Sequence, residues 1–342
     1  MTNAIENIDH LEDLLSTPTA GVIEAVKRTS GDFIVLGVGG KMGPTLARML
    51  RRAVDAAGTK QRVIGVSRFS TGELPAQLQA HGVETISCDL LDAEALDRLP
   101  EVPNVVYMAG MKFGTTGQQA RTWAMNAFLP GMVARKFRRS RIVAFSTGNV
   151  YPLVPVHSGG ATESDDPAPL GEYAQSCLGR ERIFEHFSRQ WQIPMALIRL
   201  NYAVEMRYGV LIDMAQRIAR GEPSDLSMGC VNVIWQGDAN AVSIQAFDHV
   251  SSPPMVLNLT GPETLSVRWI CEQLGKRMGK TPSFVGNESA SAYLNNAALC
   301  QQLFGYPHVS VRQLIDWTAE WVNRGGTTHG KPTHFETRDG KY

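Results

Sequence analysis

The stretch FIVLGVGGKMGPTLARML constrains this chain more than any other: a short apolar run, then Gly37, Gly40 and Gly43 at intervals of three, then an amphipathic helix. Glycine at the first position permits a tight turn, at the second lets a pyrophosphate approach the backbone, and at the third lets helix and strand pack closely. The helix that follows presents unpaired N–H groups to an anion. Glycines so spaced also occur in plain strand-to-helix turns, so the weight of the pattern depends on its surroundings.

Those surroundings alternate. After FIVLGV come a helix from Met42 to about Ala57, RVIGVS, a helix near 74–80, ETISCD, a helix near 93–99, NVVYMA, a long helix near 118–137, and RIVAFS. Short β-branched runs separated by amphipathic helices predict right-handed βαβ units, and so an α/β fold of the Rossmann type: a doubly wound parallel sheet covered on both faces. A loop rich in Pro, Gly and Asp (152–171) leads to a helix from about Tyr173 to Trp191 and the strand MALIRL. Beyond Asn201 the rhythm loosens into helices near 211–220, 267–278 and 311–323 and the short runs VNVIW and MVLNLT. Four units are expected: a helical extension over 1–30, added before the core; a dinucleotide-binding domain over 31–200; a smaller C-terminal substrate lobe over 201–325, with VNVIW and MVLNLT as candidates to rejoin the main sheet; and a frayed tail over 326–342.

Composition narrows the partners. The 342 residues are 43% hydrophobic, enough for a large core, and 33 basic residues balance 33 acidic ones. No global basic field is available to hold nucleic acid or an acidic membrane surface, which leaves a small molecule as the partner. Five scattered cysteines without a Cys-x-x-Cys pair read as reduced thiols. His157 and His186 lack ligand spacing, so no metal is expected. The acidic N-terminal stretch MTNAIENIDHLEDLL has neither a basic n-region nor an apolar core, and the expectation is a cytoplasmic protein.

At the end of the second strand, where an acid would bind ribose hydroxyls, stand Ser67 and Arg68. An acid there would repel a 2′-phosphate, whereas these two can donate to it. NADP is therefore favoured, with NAD as the alternative; the plain reading of Arg68 as a solvated surface residue stands beside it.

The ordered blocks over 32–270 resemble the extended short-chain dehydrogenase/reductases, the NAD(P)-dependent sugar epimerases and dehydratases. The glycine turn is similar to their TGxxGxxG block with Leu36 for Thr, and it brings Lys41 and Met42 to the cofactor. The resemblance implies that Asp89 and Leu90 of SCDL meet the adenine, that Ala109, Gly110 and Lys112 of YMAGMK reach the cofactor, and that Asn126 of WAMNAFLPG does so as well. It places Ser146 and Thr147 of AFSTGNVYP beside the reacting carbon, Tyr173 as the YxxxK tyrosine, and Asn201 and Tyr202 of RLNYAV at the substrate. Related enzymes pair through two long helices, here those ending near Phe137 and Trp191, which implies a homodimer.

The implied chemistry is hydride transfer at a hydroxyl or keto carbon, with Thr147 and Tyr173 as the catalytic hydroxyls and Ser146, Asn201 and Tyr202 holding a sugar or sugar derivative. Two positions depart from the pattern. Cys177 stands where the YxxxK lysine belongs, among the cofactor-binding positions, and Tyr202 follows an Asn shifted from its usual place, which inclines the substrate towards a free sugar or sugar acid. A free tyrosine has a pKa near 10, so ionising it at pH 7 costs roughly 4 kcal/mol, which a nearby cation normally reduces. Three readings follow: Lys112, or after it Arg180, supplies the charge; Tyr173 acts only as an acid in reduction; or the chain is a cofactor-binding regulator or scaffold without turnover.

Overall fold

The computed structural model describes residues 4–70, 72–112 and 117–340. Its centre is the expected doubly wound sheet of seven strands: β1 (Phe33–Leu36), β2 (Val63–Ser67), β3 (Glu84–Ser87), β4 (Asn104–Tyr107), β5 (Arg141–Thr147), β6 (Met195–Leu200) and β7 (Met255–Leu259). The spatial order is β3-β2-β1-β4-β5-β6-β7, and every pairing is parallel. Phe33 is opposite Val63 on one side and Asn104 on the other. The order reverses between β1 and β4, which opens a crevice at the carboxyl ends of the strands.

All four residues of β1 are fully buried because both faces of the sheet are covered. Phe33 and Val35 face a core built with α2 (Ala20–Arg28), α3 (Gly43–Ala57) and α10 (Gln236–Gln245), through Val22, Leu46, Leu50 and Ile244. Ile34 and Leu36 face the opposite way, onto Leu129, Val133 and Phe184 of α7 (Leu129–Lys136) and α8 (Gly171–Trp191). This alternation along each strand is what lets a continuous apolar run serve two layers. The edge strand β3 carries Glu84 and Ser87 exposed, where unpaired backbone meets water.

Several expectations change in detail. The helix foreseen over 118–137 is α6 (Gln119–Trp123), a π-helical turn (Ala124–Phe128) and α7. Pro130 cannot donate to the carbonyl four residues back, that of Asn126, so the helix widens there. The N-terminal segment is no appendage: Leu11 and Leu15 of α1 (Ile8–Ser16) are fully buried in the C-terminal core, while Val22 and Val26 of α2 join the sheet core. Of the two returning candidates, MVLNL is β7, whereas Cys230–Val231 pairs antiparallel with Leu265–Ser266, and Ile234–Trp235 pairs with Ala203–Val204. The tail up to 340 is not frayed. Phe335 is buried in the C-terminal core, Thr333 N–H donates to Asp213 Oδ2 (2.8 Å) and Arg217 pairs with Glu336 (2.9 Å).

Candidate active site

The glycine turn between β1 and α3 shows why its residues are small. Gly37 has φ +90°, and a Cβ on it would stand 2.7 Å from the Ala109 amide nitrogen. A Cβ on Gly43 would collide with the Val38 carbonyl, so this glycine sets the helix against the turn. Gly40 is exposed, with only the Gly37 carbonyl (3.3 Å) near its missing side chain, and its outer side is open to a ligand. Met42 gives α3 no side-chain cap, and Pro44 follows in the first turn. Free N–H groups therefore point at the opening, as an anion requires.

On the β2–β3 side, Ser67 closes on the turn, its Oγ lying 2.5 Å from where a Gly39 Cβ would be. Arg68 is exposed and, among the described residues, pairs with no acid; its carbonyl accepts from Ser87 Oγ (3.2 Å). Asp89 is exposed and accepts from the Leu91 amide (3.1 Å), while Leu90 is buried in the core. These four residues lie outside the lining of the main cavity.

That cavity, about 1000 Å³, opens over the carboxyl ends of β1, β4, β5 and β6. The structure brings to it Gly37, Gly40, Lys41, Met42 and Gly43 from the turn, Gly110 and Lys112 after β4, and Ser146 and Thr147 from β5. Tyr173 of α8 and Asn201 and Tyr202 after β6 complete this half. Ala109, Asn126 and Cys177 do not line it. The opposite wall contains residues that local sequence pattern does not single out: Glu12 of α1, Arg207, Tyr208 and, from the tail, His329. Three segments distant in the chain meet there, so no spacing rule connects them.

Thr147 and Tyr173 share a side-chain hydrogen bond, and Cys177, one helical turn on, is hydrogen-bonded to the same tyrosine. Burial, followed by the Cys177 thiol, pushes the Tyr173 pKa far up, and the Arg180 charge and the Thr147 bond only partly oppose this. The phenol is therefore a proton donor at neutral pH. Cys177 is fully buried against Val150, Tyr151 and Ala161, and burial raises its pKa too, so it stays a thiol.

Arg180 lies two turns from Tyr173 on the same face of α8. Its Nη1 donates to the Phe145 carbonyl (2.7 Å) and its Nη2 to Asn126 Oδ1 (2.8 Å), while the buried Nε has no hydrogen-bond partner among the described residues. Of the influences that favour ionised Tyr173, the charge of Arg180 comes first. Lys112, placed before it in the sequence reading, sits with its Nζ 5.9 Å from the Tyr173 ring centre, and burial lowers its pKa to about 8.

Asn126 is a bracket. Fully buried in the π-helical turn, it accepts from the Met111 amide (2.8 Å) and donates to the Met111 carbonyl and to Ser176 Oγ (both 2.9 Å). It thereby fixes the segment that carries Lys112. Ser146, on the cavity wall, donates to Glu181 (2.5 Å), which is ion-paired with buried Arg199 (2.7 Å). Arg199 in turn donates to the Tyr151 hydroxyl (2.6 Å), and that hydroxyl donates to Asn258 Oδ1 (3.0 Å). This chain ties β5, α8, β6 and β7 together beneath the site. Tyr202 has φ +44°, a conformation side chains rarely adopt, and it directs the chain from β6 over the cavity.

The sequence profile of the NAD dependent epimerase/dehydratase family matches residues 33–240. No curated protein matches the sequence. Among solved structures, UDP-glucose 4-epimerase from Thermotoga maritima, with UDP-glucose, superposes with a TM-score of 0.71 at 17% identity, covering 86% of this chain and 99% of its own. dTDP-glucose 4,6-dehydratase from Bacillus anthracis, in complex with NAD, gives 0.72 at 17%, covering 86% and 97%. UDP-glucuronic acid 4-epimerase from Bacillus cereus, with UDP-glucuronic acid and NAD, gives 0.69 at 17%, covering 86% and 99%. At such identities the likeness is one of fold.

Proposed function

Because the chain belongs to the NAD dependent epimerase/dehydratase family of enzymes, we propose that it acts on a hydroxyl or keto carbon of a sugar or sugar derivative by hydride transfer, as an epimerase or oxidoreductase. The observation that carries this reading is the hydrogen-bonded pair Thr147 and Tyr173 on the wall of the cavity that begins at the glycine turn. The turn fits a dinucleotide: the open side of Gly40 and the uncapped start of α3 leave room and donors for a diphosphate. A bound nicotinamide would supply or accept the hydride. The chain's own part is to hold the substrate oxygen between Thr147 and Tyr173 and to move its proton through the Tyr173 hydroxyl. With its pKa raised, Tyr173 is suited to giving that proton as a carbonyl is reduced.

NADP is the favoured cofactor in this reading, supported by the exposed Arg68 beside Ser67, and NAD is the alternative. Residues 31–200 bind it and 201–325 bind the substrate, with Ser146, Asn201 and Tyr202 on the substrate side. Two copies pair through α6, α7 and α8, where Phe128 is 64% exposed and Trp123 38% exposed; Phe128→Glu converts a dimer to a monomer in light scattering if this holds. No described helix is long and apolar enough to cross a membrane, and the free cysteines suit a cytoplasmic setting.

The absence of the lysine at Cys177 favours a second reading, a cofactor-binding regulator without turnover. A screen of sugars, sugar acids and nucleotide-sugars against the cofactor-loaded protein decides between them. Conversion of one compound, followed by nicotinamide absorbance or epimer analysis and abolished in Thr147→Val, supports the enzyme. Tight cofactor binding with no conversion, and a redox-dependent association with another protein, supports the regulator.

A further inference from the structure

Lys41 leaves the glycine turn in an unexpected direction. Its side chain runs across the cavity, donates from Nζ to the Ala203 carbonyl (2.9 Å) and sits 4.0 Å over the Tyr208 ring. Both partners belong to the segment that continues from β6 through Asn201 and Tyr202. The ammonium is thus held on the Ala203–Tyr208 stretch that follows β6, in the same cavity that Thr147 and Tyr173 line.

Among the described residues no carboxylate lies within ion-pair distance of this ammonium. Glu205, whose charge favours it, is spoken for: it accepts from Arg207 Nε and the Arg207 amide (3.2 and 2.8 Å) and faces His329 Nε2 (3.6 Å). Arg207 also pairs with Glu12 (2.5 Å), the acid that α1 brings to the opposite wall. Lys112 faces Lys41 within the same cavity, and the two like charges disfavour each other. A part-buried ammonium held by one carbonyl and one ring is incompletely compensated, and an anion brought to it gains strength where the cavity excludes water.

We propose that Lys41 reads an acid group on the substrate: its ammonium receives a carboxylate of the sugar derivative whose carbon is held at Thr147 and Tyr173. This rests on the reading of the site given above. A carboxylate fits better than a phosphate. Among the described residues that line the cavity, the guanidinium of Arg180 is committed to Phe145 and Asn126, that of Arg207 to Glu205 and Glu12 and that of Arg48 to Asp13, so none of these forks is left for a phosphate. The cofactor's diphosphate has the backbone donors of the turn. One ammonium beside the Tyr208 ring is suited to a single-charge, planar acid.

The test is calorimetric titration of the protein as isolated with D-glucuronate, D-glucose, NADH and NADPH, repeated on Lys41→Met and Lys41→Arg. Glucuronate is expected to bind at least about tenfold more tightly than glucose, the size of one charge-assisted contact. Lys41→Met should erase that preference while leaving NADH and NADPH affinities within about threefold, and Lys41→Arg should keep part of it. Equal binding of acid and neutral sugar to the unmutated protein overturns the proposal. So does an undiminished preference in Lys41→Met, or a loss confined to the dinucleotides, which would assign the ammonium to the diphosphate. Should Lys41→Met not fold, Lys41→Gln is titrated in its place. A Lys41-dependent acid preference without any conversion in the sugar screen would sink the hydride-transfer reading and leave the acid site standing.

Discussion

Arg180 stands two turns along α8 from Tyr173, its guanidinium anchored to the Phe145 carbonyl at 2.7 Å and to Asn126 at 2.8 Å, and its charge leads the influences that oppose the burial of the tyrosine. The YxxxK lysine would place a cation one turn from the tyrosine, and Arg180 stands one turn further down. If it serves that end, Arg180→Gln should raise the alkaline limb of the kcat/KM pH profile, since the phenol loses the cation that favours its ionised form. Arg180→Lys should restore part of the shift. A profile unchanged in Arg180→Gln, with the protein still folded, assigns the arginine to structure alone.

Tyr173→Phe should lower turnover by about two to four orders of magnitude while cofactor binding persists, because the proton-transfer group is removed and the cavity's shape is kept. Turnover measured with a substrate identified in the sugar screen, alongside cofactor titration, checks both halves of this expectation.

Cys177→Lys would put an ammonium into the pocket formed by Val150, Tyr151 and Ala161. Where it folds, the pH optimum should move downward, as the added cation favours tyrosinate. The melting temperature should fall as well, since a buried and unpaired charge is costly. Circular dichroism melts and pH–rate profiles on the same preparation separate the two effects.

Arg68→Ala should weaken NADPH binding about tenfold or more, for the loss of a charge-assisted contact of roughly 1.5–3 kcal/mol, and leave NADH nearly unchanged. Nicotinamide fluorescence titrations decide it. Equal losses for both, or tighter NADH binding by the unmutated protein, would overturn the preference for NADP.

Burial depresses the Lys41 pKa to about 7 and that of Lys112 to about 8. The unfolded chain holds these protons more tightly than the folded one, so the penalty is complete below about pH 7 and shrinks as pH rises towards the unfolded lysine value near 10.4. Lys41→Met should therefore raise the melting temperature of the cofactor-free protein more at pH 6.5 than at pH 9. A difference that does not change with pH would show that the ammonium is solvated.

Asn126→Ala should destabilise the fold by about 2–4 kcal/mol, because the Met111 amide and an Arg180 N–H lose their acceptor inside the protein. Thermal unfolding monitors this directly. The loss should come with weakened cofactor binding, as the segment carrying Lys112 is released.

Local pattern determined the sheet and the start of the site. The β-branched runs from Phe33 to Leu200 place six strands, and the glycines at 37, 40 and 43 place the turn at their carboxyl end, because strand periodicity and glycine's backbone freedom act over a few residues. Asn126 was visible as a motif residue, yet its task as a bracket depends on Met111, Ser176 and Arg180, which only packing brings to it. The same is true of the opposite wall. Glu12, Arg207 and His329 converge from the two ends and the middle of the chain, and the tail that reads as frayed is held by Asp213 and Arg217. Whether Lys41 points to solvent or across the cavity is likewise settled by where Ala203 and Tyr208 come to rest, because the energy of a charge depends on neighbours distant in the chain, and sequence spacing carries no record of them.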